Sequence, residues 1–247
     1  MIWALEKEKL GKELLCSLYD AGMIKTFQRD KPEGWNLVSG LWSPFYIQLR
    51  PLCSYPDILI RTGYALGKLI RNEAPHINRL VGVAIAGIPI TTAITVSEKI
   101  PSAFTRKIEG ITSLNDFKML IENYGEHSLL EGIITNYDNV MLVDDLVTKF
   151  ESKIIALEQV KYEVEQKALS GITCRDVMVL IDREQGAHSK AKKYGISLYS
   201  LIPFKTKGLN WLKEYITNIE YKIIVDYLDN PGKYQDENQR RNILSSL

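Results

Sequence analysis

Short apolar runs that stop abruptly at charged or small polar residues constrain this chain more than any other feature. Leu80–Ile85, Ser102–Thr105, Asn139–Val143, Val177–Ile181 and Ile196–Leu201 are each long enough for one strand. Helical patterns fall between several of them, near Pro89–Glu98, Lys153–Lys167 and Ser189–Tyr194. Strands alternating with helices predict an α/β fold, an open parallel sheet covered by helices on both faces.

The flanks of this pattern are different. Leu5, Leu10, Leu14, Leu15 and Leu18 recur at helical spacing within residues 4–25. Trp35–Arg50 reads as two short strands around a turn at Ser39-Gly40, with Phe45, Tyr46, Ile47 and Leu49 in the second. A helix is expected from Pro56, a favoured first-turn residue, to Asn72. After Phe204 the chain reads as helical and polar, and Asn230–Ser246 as a frayed surface tail. The expected division is a helix and a small hood of strands in residues 1–50, a core in 51–205, and closing helices with a tail in 206–247. All three belong to one structural domain, because no Pro/Gly/Ser-rich linker separates them.

Composition excludes more than it specifies. A net charge of +1 over 247 residues gives no field to gather nucleic acid or an anionic membrane, so an anionic ligand must be recognised locally. Cys16, Cys53 and Cys174 form no C-x-x-C pair and read as free thiols of a reducing compartment. Glu6, Lys7, Glu8 and Lys9 do not fit a signal peptide. No apolar run reaches the roughly 18 residues of a membrane span. The expected location is cytoplasmic.

In an open parallel sheet, ligands bind beyond the carboxyl ends of the strands. The residues that follow the apolar runs are therefore the candidates: Ala86-Gly87-Ile88, Arg106-Lys107, Asp144-Asp145-Leu146-Val147-Thr148 and Asp182-Arg183-Glu184-Gln185-Gly186. They combine adjacent carboxylates, cations and a small-residue turn, which suits a phosphorylated, polyhydroxylated ligand. Asp144 and Asp145 repel each other and need a compensating partner, such as ribose hydroxyls or Mg²⁺. The alternative is that one acid caps the following helix and the other is solvated.

Val140-Met141-Leu142-Val143-Asp144-Asp145-Leu146-Val147-Thr148 resembles the strand, acid pair and phosphate-loop entry of the type I phosphoribosyltransferases. Three more segments resemble the orotate phosphoribosyltransferases: Ser39-Gly40-Leu41-Trp42-Ser43-Pro44-Phe45-Tyr46-Ile47, Val83-Ala84-Ile85-Ala86-Gly87-Ile88-Pro89 and Leu180-Ile181-Asp182-Arg183-Glu184-Gln185-Gly186. The resemblance implies transfer of a phosphoribosyl group from phosphoribosyl pyrophosphate (PRPP) to orotate, with Mg²⁺ carried by PRPP. It implies that Asp144 and Asp145 hold the ribose and that Thr148, Lys149, Phe150, Glu151 and Ser152 cradle the 5′-phosphate. Ala86, Gly87, Ile88, Arg106 and Lys107 would face pyrophosphate, Arg183 the orotate carboxylate, and Phe45 and Tyr46 the base. A homodimer is implied, with loop 107–128 reaching the partner's site.

The chain departs from the family pattern at three places. Phe150 stands where the phosphate loop has glycine, and a left-handed conformation there would cost about 1–2 kcal/mol. Glu151 follows, repelling a phosphate by roughly 3 kcal/mol at about 5 Å and an effective dielectric near 20 unless Lys149 offsets it. Val38 replaces a lysine, and Glu122 occupies the catalytic lysine position of the mobile loop. Lys118, and next His127, are then the expected relocated cations of a lid, the alternative being a surface helix with no role. Two other functional readings stay open: transfer to a different base, and a silent regulator that binds PRPP or a nucleotide.

Overall fold

The computed structural model describes residues 2–37, 40–111, 113–122, 124–125 and 127–245. Helix α1 (Ile2–Asp20) is followed by four short strands, β1 (Ile24–Thr26), β2 (Trp35–Asn36), β3 (Trp42–Ser43) and β4 (Phe45–Ile47). The core runs α2 (Pro56–Glu73), β5 (Arg79–Gly82), α3 (Gly87–Glu98), β6 (Ser102–Thr105), α4 (Leu114–Ile121), β7 (Leu130–Glu131), β8 (Asn139–Val147) and α5 (Glu151–Gln166). It continues through β9 (Thr173–Asp182), α6 (Ala187–Lys193) and β10 (Ser197–Pro203). Helices α7 (Leu209–Trp211), α8 (Asn218–Asp229) and α9 (Glu237–Ser245) close the chain.

The central sheet has the order β10-β9-β8-β5-β6-β7. Every neighbouring pair is parallel except β6–β7. Strand β8 lies between β5 and β9, with Leu142 opposite Val81 on one edge and Val177 on the other. Its alternation feeds two cores. Met141 and Val143 join the apolar side chains of α1, α2 and α3, whereas Val140 and Leu142 join Ile154 and Val160 of α5. The expected parallel α/β sheet is present, and no helix among the described residues is long and apolar enough to cross a membrane.

Three local expectations fail for identifiable reasons. The run ending at Val143 continues as strand to Val147, so the acid pair lies inside β8. The second hood strand is split at Pro44: β3 pairs with β2, and β4 crosses to β1, a strand the sequence reading had absorbed into its opening helix. Proline fits the break because it has no N–H to give a continuous ladder. Val38 and Ser39 fall outside the described residues.

Helix α4 occupies part of the segment expected to form a lid. A capping box starts α4, with the Asp116 N–H donating to Ser113 Oγ at 3.2 Å and the Ser113 N–H to Asp116 Oδ2 at 2.8 Å. Phe117 is buried, and Tyr162 Oη on α5 donates to the Gly125 carbonyl at 2.9 Å. Thr112, Asn123 and Glu126, which the lid expectation includes, are outside the described residues.

The tail is the third correction, because residues 234–240 clamp the hood. Tyr234 is 1% exposed and stacks on Trp42 with ring centroids 5.9 Å apart. Gln235 receives the Trp42 N–H at 2.8 Å and donates to the Trp42 carbonyl at 3.3 Å. The Arg240 guanidinium lies 5.0 Å above the Trp42 ring. We expect Tyr234→Ala to destabilise the protein by about 3 kcal/mol, as other buried aromatic truncations do, read by chemical denaturation. Protease should then cut after residue 230, whereas a frayed tail would be cut equally in the unmodified protein.

Candidate active site

Near the end of β8 the strict alternation breaks, since Leu146 packs with Met141 and Val143 and Val147 packs on the α5 side; Asp144 is buried here and Asp145 half-buried. Asp144 is 6% exposed, and its compensating partner is internal. Lys153 Nζ donates to Asp144 Oδ2 at 2.7 Å, to the Leu146 carbonyl at 2.6 Å and to Ser152 Oγ at 3.3 Å. Asp144 Oδ1 accepts the Asp145 N–H at 2.8 Å, and Asp145 Oδ1 accepts the Leu146 N–H at 2.7 Å. Burial, and then the neighbouring Asp144 charge, push the Asp145 carboxyl up from 3.8 to about 7, against the pull of Lys153.

The loop after β8 turns into α5 through a left-handed residue that is not glycine. Phe150 sits at φ 78°, ψ −3°, immediately before α5, and its side chain is buried in the α5-side core. Apolar burial thus offsets the left-handed backbone. Of the first amides of α5, those of Lys153 and Ile154 donate to the Phe150 carbonyl at 3.1 and 3.2 Å. Glu151 is neutralised chiefly by a residue the sequence reading did not connect to it, Lys190 of α6, at 2.5 Å. Burial raises its carboxyl, but the Lys190 contact outweighs this and holds it below the usual carboxylate value, with Lys149 adding a smaller pull. Thr148 is half-buried and Lys149 exposed.

The small-residue turn lies beside the acid pair. A Cβ on Gly87 would stand 2.3 Å from the Val143 carbonyl, so only glycine lets α3 start against β8. The Ala84 N–H donates to Thr105 Oγ1 at 2.9 Å, and the Ala84–Ile85 peptide is cis. Ala86 and Ile88 are half-buried at the start of α3. Arg106 is held away from this turn by Glu131 of β7, Nε to Oε1 2.9 Å, and Lys107 is exposed. Arg106, Met119, Leu120, Tyr124 and His127 line an open depression; Lys118 is exposed on α4 and does not line it.

Arg183 follows β9 and is 7% exposed, its guanidinium carbon 4.6 Å above the Phe45 ring. Burial lowers its pKa, against a smaller upward pull from Tyr227. Among the described residues, Arg183 Nε and Gln185 Oε1 are buried with no hydrogen-bond partner. Phe45 is fully buried beneath Arg183 and stacks on Phe204 at 5.2 Å. Tyr46 points to the other side of β4, onto Trp35, so the two expected base contacts do not share a face.

Sequence reading missed Lys153, Lys190, Phe204 and Tyr227. A signal for Lys153 was present: Lys153, Ala156, Val160 and Glu163 share the buried stripe of α5, so the lysine occupies an inward position.

Among solved structures, UMP synthase from Leishmania donovani superposes with a TM-score of 0.70 at 24% identity, covering 89% of this chain and 42% of that one. Orotate phosphoribosyltransferase from Aeropyrum pernix gives 0.59 at 20% identity, covering 82% and 98%. The fold is that of a type I phosphoribosyltransferase. No family model matches the chain. Orotate phosphoribosyltransferase from Saccharolobus solfataricus is 31% identical over 193 residues, 78% of this chain and 87% of the relative. Uridine 5′-monophosphate synthase from Bos taurus is 28% identical over 193 residues, but the chain spans only 35% of that longer protein. The chain belongs to the orotate phosphoribosyltransferase family.

Two outcomes follow from this geometry. Phe150→Gly removes about 3–5 kcal/mol of core packing and relieves about 1–2 kcal/mol of backbone strain. The net should be a loss of about 2 kcal/mol in denaturant unfolding, and a gain would mean that the ring is dispensable. Asp145 has its folded pKa above its unfolded one, so its contribution to stability is present below about pH 4 and lost as pH rises through about 7. Melting temperatures of the ligand-free protein should therefore fall between about pH 4 and pH 7. Asp145→Asn should flatten that slope.

Proposed function

We propose that this protein transfers the phosphoribosyl group of PRPP to orotate, giving orotidine 5′-monophosphate and pyrophosphate. The carrying observation is a buried arginine with an unsatisfied donor at the end of β9, beside an acid pair and phosphate loop at the end of the adjacent strand β8. Arg183 would take the orotate carboxylate as a bidentate fork, and Phe45 and Tyr227 fix its orientation.

In the reaction the bond from ribose C1′ to the pyrophosphate oxygen breaks and a bond from C1′ to the base nitrogen forms. Pyrophosphate leaves with the electron pair, and the base nitrogen loses its proton. Magnesium enters chelated to the diphosphate, as part of the substrate. The loop from Thr148 to Ser152 anchors the 5′-phosphate through the first amides of α5. The turn Ala86–Ile88 and the cations Arg106 and Lys107 serve the leaving group, and Lys118 or His127 would act from the lid. These contacts orient the reactants and stabilise departing charge.

We read residues 1–50 as the hood, 51–205 as the transferase core and 206–247 as the closing part of one unit, working in the cytoplasm as a homodimer. Exposed Ile60 and Tyr64 on α2 and Val96 on α3 flank the tight crossing of Gly63 on Ala93, and this supports a partner on that face. Loop 107–128 would then reach the partner's site.

The direct test is purified protein with PRPP, Mg²⁺ and a panel of bases, followed by nucleotide and pyrophosphate release. Arg183→Ala should raise the KM for orotate about 10–100-fold, the value of a lost charge-assisted pair, and that for PRPP far less. Equal effects on both substrates would count against orotate. PRPP binding without turnover of any base would favour a regulator.

A further inference from the structure

We propose that the two adjacent acids of β8 have separate tasks: Asp145 alone is the ligand-facing carboxylate of the phosphoribosyl site. Asp144 is instead committed, through Lys153, to holding the phosphate loop. This rests on the PRPP-dependent reading above and refines it, because the family resemblance assigns both acids to the ribose.

Asp144 is 6% exposed and held by Lys153 of α5, whereas its neighbour Asp145 is half-buried. Both Asp144 oxygens already accept bonds from inside the protein, Oδ1 from the Asp145 N–H and Oδ2 from Lys153. Lys153 has three ammonium hydrogens and three acceptors, one on the strand acid, one on the strand backbone and one on the loop residue Ser152. Its side chain is 5% exposed, so it is a buried tie and not a surface cation. Asp145 differs on each count. It is half-buried, and among the described residues its Oδ2 accepts no hydrogen bond.

The arrangement answers two problems. A loop without glycine needs its shape fixed by side chains, and here Phe150 pins its middle from the core while Lys153 ties the first turn of α5 back to β8. A polyanionic ligand must also approach two carboxylates. Pairing Asp144 with Lys153 cancels one negative charge and leaves one carboxylate to receive the ribose hydroxyls. Removing either member of the buried pair strands the other charge, whereas removing both does not. Lys153 is therefore a positioning residue, acting through Asp144 and the loop.

The experiment is a double-mutant cycle on the full chain, with thermal melting and calorimetric titration of PRPP with Mg²⁺ on each variant. Asp144→Asn and Lys153→Met should each lower the melting temperature and weaken PRPP binding by a similar factor. The double variant should recover most of the loss in melting temperature, but bind PRPP no better than Lys153→Met, because the loop still lacks its tie. Asp145→Asn should weaken PRPP at least about tenfold, as loss of a charge-assisted bond does, without lowering the melting temperature at pH 8. Additive losses of melting temperature in the double variant would overturn the proposal. So would an Asp144→Asn protein that melts normally yet loses as much PRPP affinity as Asp145→Asn. Failure of the unmodified protein to bind PRPP would instead sink the functional reading, and the Asp145 role with it, while the melting cycle still judges the Asp144–Lys153 tie.

Discussion

Strand β8 is hydrogen-bonded on both edges and covered on both faces, so nothing charged fits along it until the sheet's carboxyl end. That constraint decides where chemistry is possible. At Asp144 the cover is still nearly complete, and a carboxylate so enclosed requires a cation or a proton. Lys153 meets the requirement from the adjacent helix, and in doing so it fixes where α5 begins. Gly87 meets the same crowding from the other side, by having no side chain where α3 starts against the Val143 carbonyl.

Much of this was legible in the sequence, and the failures share a cause. Buried parallel strands write themselves as apolar runs, so the sheet and the loops at its carboxyl ends could be read directly. The hood could not, because two- and three-residue strands have no periodicity, and Pro44 redirects one of them to a partner around residue 25. Lys153 was passed over because lysine in an otherwise ordinary helix start reads as solvent-facing; only the stripe it shares with Ala156 and Val160 betrays it. Phe150 was read as a defect of the loop because its backbone cost was visible and its core contacts were not. The clamp on Trp42 lay in a polar stretch where one tyrosine and one glutamine carry the contact.

Two groups of the ligand-free site are held against their preferred charge states. Asp145 is pushed toward its neutral form mainly by burial, and the Arg183 guanidinium is desolvated over an aromatic ring with a donor unsatisfied. On the proposed reading, donors brought to the first and an acceptor brought to the second would relieve the protein and bind the ligand at once. Recognition would then draw on desolvation already incurred during folding, which is the physical content of preorganisation.

The contact between Trp42 and Gln235 spans 193 positions of the chain. The hood is therefore made early on the ribosome, and its clamp comes late. At roughly 5–20 residues per second, synthesis leaves that indole without its cover for about 10–40 s. During that interval Trp42 and its aromatic neighbours present sticky surface at the edge of a forming sheet, and any chaperone that attends this nascent chain has a defined window in which to act.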